Sequence, residues 1–393
     1  MKRFFFFAPV VFALHLAATA QQQQQQSITT GAAPAQATTP AATAPSKIAA
    51  PSPTAVDLTE YGVTFQPDSR LIIMMSALDA AGFDPTPPGR QPSELRLDIR
   101  KAQSNISDDL RQRMRSFYEN NRSQEPGVTA AEQAARYVSL AFALGPPPSL
   151  DVPERSEDLP GDVLEVLDFA PLLREFYRAA GLNERLPSYL EVYKKQSDAL
   201  RPQTAEMVRA VLSYLHMRPM TTAFDRVPTK SAAAGGKKKK KSGVTTYTVR
   251  ENERRFVVVQ DLLASPGAIN LRVIADDYYL IVPPNARMNG SEVRRSYLRY
   301  VVDPLVLRFN REVSLRRDEL RGLIDESQKA TSQQLSVDVF PAIANSLIVA
   351  ADARMEQIAA LESLALETAY RLRRAPEAER PRITKESGAP PGA

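Results

Sequence analysis

The sequence contains no cysteine and no tryptophan, and it has only two histidines. Without cysteine there is no disulfide, no thiol nucleophile, no thiolate-bound zinc and no iron–sulfur cluster. Since His15 lies in the apolar N-terminal stretch and His216 far from it, a His-Glu-x-x-His zinc site is excluded, and no Gly-x-Ser-x-Gly nucleophile turn occurs. The sequence therefore predicts no metal, no cofactor and no recognised catalytic residue.

The N-terminus has the composition of a secretory signal peptide. Lys2 and Arg3 precede an apolar stretch that ends at the small-x-small pattern Ala18-Thr19-Ala20. The apolar stretch is too short to cross a bilayer, and no later stretch is a better candidate for a transmembrane segment. We therefore expect residues 1–20 to be cleaved after Ala20 and the mature protein to be periplasmic or secreted.

Three segments have a composition that favours disorder. Residues 21–56 are rich in Gln, Ala, Thr, Ser and Pro and form a predicted tether, and residues 374–393 form a predicted disordered tail. Residues 231–243 form a predicted flexible loop. This loop carries five adjacent lysines: Lys237, Lys238, Lys239, Lys240 and Lys241.

The lysine run accounts for the basic character of the chain, whose formal net charge is +5. Without this run and the signal peptide, acids outnumber cations, so the body of the protein has no field that would gather nucleic acid. The run itself is a candidate for attraction to anionic envelope components such as lipid headgroups. The alternative interpretation is a solvated insertion without a ligand, and it is the favoured one.

Residues 57–230 have the periodicity of a helical domain, because apolar residues recur every three or four positions between capping signals. Ser107 and the capping-box pair Thr129 and Glu132 mark two helix starts. The predicted helices cover residues 70–82, 108–117, 129–144, 162–180, 188–200 and 204–217.

Residues 244–373 begin with strand patterns and continue with long helices. Two antiparallel hairpins are predicted, one from residues 244–250 and 254–261 and one from residues 269–275 and 278–282. A helix over residues 291–329 should kink at Pro304, and a final pair should cover 338–351 and continue to 373. The expected fold class is α+β, predominantly helical with a small antiparallel sheet.

Several chemically interesting residues have simple structural interpretations. His216 falls in the last turn of its predicted helix, where an imidazole can bond the free carbonyls, and this is favoured over a binding role. Asp108-Asp109 suits a helix N-terminus, and Asp276-Asp277 suits a hairpin turn. Tyr278 and Tyr279 follow that turn and are candidates to line a groove beside a sheet edge.

One arrangement resembles a known family. The strand Tyr278-Tyr279-Leu280-Ile281-Val282, a Gly-containing turn and a helix containing Arg295-Ser296-Tyr297-Leu298-Arg299 and then Asp303-Pro304 resemble the edge-strand-to-active-helix unit of zincin metallopeptidases. The similarity is greatest to bacterial secreted zincin-like proteins of unknown function. The resemblance implies a zincin-like layout in the C-terminal half. It places Arg295 and Arg299 at the two histidine positions and Ser296 at the glutamate position, so it also implies an inactive scaffold.

Arg295 and Arg299 cannot bind a metal cation, because a guanidinium stays protonated and has no acceptor. One helical turn apart, they are candidates for a carboxylate or phosphate site. The alternative is two surface arginines paired with acidic neighbours, and it is favoured.

The leading functional hypothesis is an exported, non-enzymatic protein that binds peptides or envelope components, with Arg295, Arg299, Tyr278 and Tyr279 as candidate site residues. An extended peptide would add to the edge hairpin of residues 269–282 as a further strand. The alternatives are a hydrolase with an unrecognised carboxylate or serine site and a structural envelope protein.

Overall fold

The computed structural model describes residues 57–123, 127–153, 159, 161–228, 247–274, 276–331 and 338–386. The predicted signal peptide, tether and lysine loop lie outside these residues. The strands are β1 (Val63–Phe65), β2 (Thr222–Pro228), β3 (Tyr247–Glu253), β4 (Phe256–Gln260), β5 (Asn270–Ile274) and β6 (Asp277–Val282).

The described chain is otherwise mainly helical. The helices are α1 (Ser69–Ala80), α2 (Glu94–Ala102), α3 (Asp108–Asn120), α4 (Ala130–Ala143), α5 (Gly161–Val166), α6 (Ala170–Ala179), α7 (Leu182–Leu215), α8 (Ser291–Arg308), α9 (Asn310–Leu315), α10 (Arg317–Thr331), α11 (Val339–Arg374) and α12 (Arg380–Glu386). Within the described ranges, no helix is long and apolar enough to span a membrane.

The main sheet has four strands in the order β1-β4-β6-β5. β4 runs parallel to both neighbours, so that Val63 pairs with Phe256 and Phe256 with Tyr278, whereas β5 is antiparallel to β6. Every residue of β4 is buried, as expected for a central strand covered on both faces. The class is the expected α+β, predominantly helical, but the sheet is mixed and not antiparallel throughout.

The first predicted hairpin is wrong, and the second is confirmed. β3 pairs with β2, starting at Thr222 opposite Glu253, while β4 belongs to the main sheet. The five residues of β4 are apolar on both faces except Gln260, so β4 gains more from a central position than from a two-stranded ribbon. β5 and β6 form the second hairpin, in which Ile274 pairs with Asp277.

Helices cover the sheet on both faces and create two cores. Val257, Val259 and Ile281 face the first core with α1, α3, α4, α6 and the first half of α7. Phe256 and Leu280 face the second core with the rest of α7, α8 and α11. Residues before and after the lysine loop therefore share one sheet, which forms the middle layer between two helical layers.

The predicted N-terminal caps are confirmed. The hydroxyl of Ser107 accepts a hydrogen bond from the Leu110 amide at 3.2 Å, and Thr129 and Glu132 form the complete capping box of α4. Helix α2 was not predicted, because its nine residues are mostly polar and only one face of it is buried.

Several predicted helix breaks are absent. Residues 188–200 and 204–217 belong to the single helix α7, although it contains Pro187 and Pro202. Pro304, where a kink is predicted, lies inside α8, which ends later, at Arg308. A proline removes one amide donor to the carbonyl four residues earlier. Arg254 compensates by donating from Nη2 to the Tyr300 carbonyl at 3.1 Å.

The C-terminal segment differs most from its prediction. The two helices expected over residues 338–373 are one helix of 36 residues, α11. Part of the predicted disordered tail forms a 3-10 turn, Glu377–Glu379, and then α12. Ile383 of α12 is buried, and this apolar anchor is the physical reason for an ordered end.

Candidate binding groove

A cavity of about 440 Å³ lies between the C-terminal half of α7 and the middle of α11. We call it the α7–α11 groove. Its walls include Met207, Ala210 and Tyr214 from α7 and Met355, Ile358 and Ala359 from α11. The spacing of three or four residues places each set on one face of its helix. The groove is therefore an apolar slot between two helices.

Charged residues surround this apolar slot. Glu206 of α7 and Glu362 of α11 line it, and both side chains are exposed. Arg294 also lines it, but its guanidinium is already paired with Asp352 and, at 3.0 Å, with Glu356. Among the described lining residues, Glu206 and Glu362 therefore have no cation to balance them, and the rim of the groove is acidic.

A buried carboxylate fixes this part of α11 to the start of α8. Asp352 is completely buried, and it accepts hydrogen bonds from Ser291 Oγ at 2.5 Å, Arg294 Nε at 2.5 Å and Arg295 Nε at 2.6 Å. Burial by itself would raise the pKa of Asp352, but the hydrogen bonds from Ser291 and Arg295 and the charge of Arg294 outweigh it, so the pKa is lowered. This cluster fixes the α11 wall of the groove to α8.

A second, smaller cavity of about 180 Å³ contains two of the residues singled out from the sequence, Tyr278 and Arg299. Tyr278 Oη donates to Asp303 Oδ2 at 3.0 Å. Burial raises the pKa of Asp303, and burial together with the Asp303 charge raises the pKa of Tyr278 to about 12. Arg299 also donates to the side chain of Asn345 on α11.

The four predicted site residues are not assembled into one site. Arg295 pairs with Asp352, while Arg299 turns to Asn345, so each contacts a different part of α11. Tyr279 lies on the opposite face of the sheet from Tyr278 and stacks on Phe142 with ring centroids 4.5 Å apart, because successive strand residues alternate between faces. β6 is also an interior strand, and β5 is the outer strand of the hairpin.

The expected places are confirmed for Asp108, Asp109 and Asp277, whereas at His216 the backbone N–H makes the hydrogen bond that was expected from the imidazole. His216 ends α7 with φ at 52°, and its backbone N–H donates to Ser213 O at 3.3 Å. Asp108 and Asp109 lie in the first turn of α3. Asp277 begins β6 and accepts a hydrogen bond from Arg255 Nε at 3.0 Å.

Sequence analysis did not identify the α7–α11 groove. The helix predicted over residues 204–217 does carry Met207, Val208 and Val211 on one face, and Val208 and Val211 are fully buried. The opposite wall was missed, because the helix was expected to break after residue 351, whereas Met355 and Ile358 continue one helix. The lysine run 237–241 lies outside the described residues. In the parts of the chain that the structure describes, no group of three or more His, Asp or Glu side chains could hold a metal ion.

Comparison with other proteins gives no family assignment. No protein-family model, no curated protein and no solved structure matches this chain. Function must therefore be argued from the groove itself.

Proposed function

We propose that the protein is an exported binding protein without enzymatic activity, and that the α7–α11 groove binds an apolar helical segment of a partner protein. The observation that carries this proposal is the apolar slot between one face of α7 and one face of α11, lined by Met207 and Met355. Methionine side chains adapt to differently shaped apolar partners. A groove between helices is a common receptor for an amphipathic helix.

The rim indicates the charge of the partner. Glu206 and Glu362 are exposed on opposite walls, so a helix whose apolar stripe is flanked by lysine or arginine complements them. Such pairs select the partner and speed association more than they add affinity.

The hydrolase alternative has less support. A carboxylate pair for acid–base catalysis needs two shielded groups that face one cleft. Glu206 and Glu362 share a groove but are exposed to solvent. Asp303 is shielded, but its described cavity contains no second carboxylate.

The binding proposal can be tested with a synthetic amphipathic helix of leucine and lysine, about 14 residues long so that it can form a helix, with one tryptophan. Because this chain has no tryptophan, the indole emission reports the probe alone. We expect a saturable blue shift with the wild type. Ala210→Phe fills the groove and should weaken binding about tenfold or more.

The matched control is Ala199→Phe, an exposed position of α7 that does not line the groove. Equal affinities for the two variants, or absence of saturable binding by a monomeric form of the protein, would refute the groove as the binding site. Circular dichroism checks that both variants are folded.

Export is part of the same proposal. Intact-mass measurement of protein from the secreted fraction of the native organism should give a chain that begins at Gln21. A mass that includes residues 1–20 would show that the signal peptide is not removed.

A further inference from the structure

The second half of α11 presents an exposed stripe. α11 packs on α8 through buried residues such as Ala344 and Ile348, but residues 356–374, which we call the arm, are largely exposed. Leu366 is 74% exposed and Tyr370 is 54% exposed. These two side chains lie on one face of the arm, since they are four residues apart.

This stripe is symmetric along the helix. It consists of Ala359, Glu362, Leu366, Tyr370 and Arg373, all exposed. The intervals between them are three, four, four and three residues, so the spacing reads the same in both directions from Leu366. A two-fold axis through Leu366 would place Glu362 of one helix against Tyr370 of an identical antiparallel helix. It would also place Ala359 against Arg373. Two-fold symmetric interfaces have this self-complementary property.

The charges of the arm favour the same antiparallel arrangement. Residues 356–367 contain three glutamates and no lysine or arginine, whereas residues 371–374 contain three arginines and no acid. A parallel pair would align like charges. An antiparallel pair brings the basic end of each arm toward the acidic part of the other.

The stripe also begins inside the α7–α11 groove, because Ala359 and Glu362 line that groove. We propose that the occupant of the groove is the arm of a second copy of this chain, antiparallel to the first and related to it by a two-fold axis at Leu366. This proposal rests on the proposed function and names its partner. In this register Tyr370 of the guest arm faces Glu362, and its Arg373 faces Ala359, one helical turn from Glu362, so the guest arm enters the groove at the end that Ala359 and Glu362 line.

The absence of cysteine allows a direct test by cross-linking. Leu366→Cys puts two thiols next to each other across the two-fold axis, and mild oxidation should convert most of the protein into a covalent dimer. Leu364→Cys is the matched control, because Leu364 is 45% exposed on the other side of the same helix. Its yield should be at least about tenfold lower at equal concentration. Equal yields from the two variants would overturn the two-fold arrangement.

A charge exchange provides an independent measurement. Glu362→Arg and Arg373→Glu should each shift the dimer dissociation constant upward about tenfold in analytical ultracentrifugation. The double variant should recover most of this loss, because each copy then offers the reversed pair to the other. A double variant whose loss of dimer affinity equals the combined losses of the two single variants would contradict the proposed register.

The tryptophan probe separates this inference from the proposed function. Leu366→Asp should be monomeric and folded, and it should bind the probe with its groove empty. A wild type that stays monomeric at all concentrations but binds the probe would overturn self-association alone. Absence of probe binding by Leu366→Asp would overturn the proposed function, whatever the oligomeric state.

Discussion

Arg295 Nε lies 2.6 Å from Oδ2 of Asp352, a carboxylate with no exposed surface. Arg295 was a candidate anion receptor from the sequence, but the anion that it binds belongs to its own chain. The Arg295 side chain is 46% exposed, which agrees with the alternative of a surface arginine paired with an acidic neighbour. Ser291 and Arg294 converge on the same carboxylate, so the cluster joins α8 to α11.

We predict that Asp352→Ala strongly destabilises the protein, because it leaves the mostly buried Arg294 with only the exposed Glu356 as a partner. Removing one member of a buried pair costs about 3 to 5 kcal/mol; since Arg295 is half exposed, we expect a loss of roughly 2 to 4 kcal/mol in urea unfolding. Glu356→Ala is the control, because its exposed pair with Arg294 should contribute less than about 1 kcal/mol. Similar losses for both variants would show that the buried carboxylate has no special role.

Gly62 is predicted to tolerate no side chain. Its φ is 71°, and a Cβ atom would fall on the hydroxyl of Tyr300. Gly62→Ala should therefore lower the free energy of unfolding by the cost of the left-handed conformation, roughly 1 to 2 kcal/mol. The displacement of Tyr300 should lower it further. Gly89→Ala has a φ of 76° with no atom within 4 Å, so it measures the backbone cost alone. Equal thermal shifts for the two variants would show that Tyr300 moves aside freely.

Asp261 should make stability depend on pH near neutrality. Burial raises the pKa of Asp261 to about 7, despite hydrogen bonds from the Leu263 and Ala264 amides and the nearby Arg96. Between about pH 4, the ordinary aspartate range, and pH 7 the folded state keeps a proton that the unfolded state loses. The stabilisation from this proton is complete below pH 4 and is lost as the pH rises through 7.

Asp261→Asn replaces the carboxyl with an amide that does not ionise, so it removes this pH dependence. Its free energy of unfolding should fall less between pH 5 and pH 8 than that of the wild type, by on the order of 2 to 4 kcal/mol. Urea titrations of both proteins at several pH values measure the difference. Superimposable pH profiles would mean that the Asp261 carboxyl ionises as it does in water.

The zincin resemblance leads to a prediction about metal content. The sequence has two histidines, one of them in the predicted signal peptide, and no cysteine, so a zinc site with three nitrogen or sulfur ligands from these side chains cannot be assembled. We expect purified protein to contain no stoichiometric zinc and to show no chelator-sensitive proteolysis. One zinc per chain in elemental analysis after dialysis would eliminate the interpretation of Arg295 and Arg299 as replaced ligands.

Local features of this fold were predictable from sequence, because they depend on neighbouring residues. Ser107 and Thr129 begin helices since their hydroxyls bond amides three positions away. The position of β4 was not predictable in the same way, because a fully buried strand has no alternation that identifies its partners. Sequence also could not show that Arg254, distant along the chain, donates to the Tyr300 carbonyl, which Pro304 leaves without its amide donor.

The candidate site was less predictable still. Tyr278 and Arg299 do share a cavity with Asp303, but adjacency in sequence also suggested Tyr279, which the strand alternation places on the other face. The α7–α11 groove joins residues near 210 with residues near 358. Only the tertiary fold brings these two helix faces together.

The pairing of β1 with β4 has a consequence for how the chain is made. Val63 pairs with Phe256, so β1 cannot join the sheet until β4, about two hundred residues later in the chain, has been synthesised. Contacts of such long range slow folding. Until β4 and β6 arrive, the helices of the first layer have no sheet to cover their apolar faces. The half-finished chain is therefore the stage at which this protein is most exposed to aggregation.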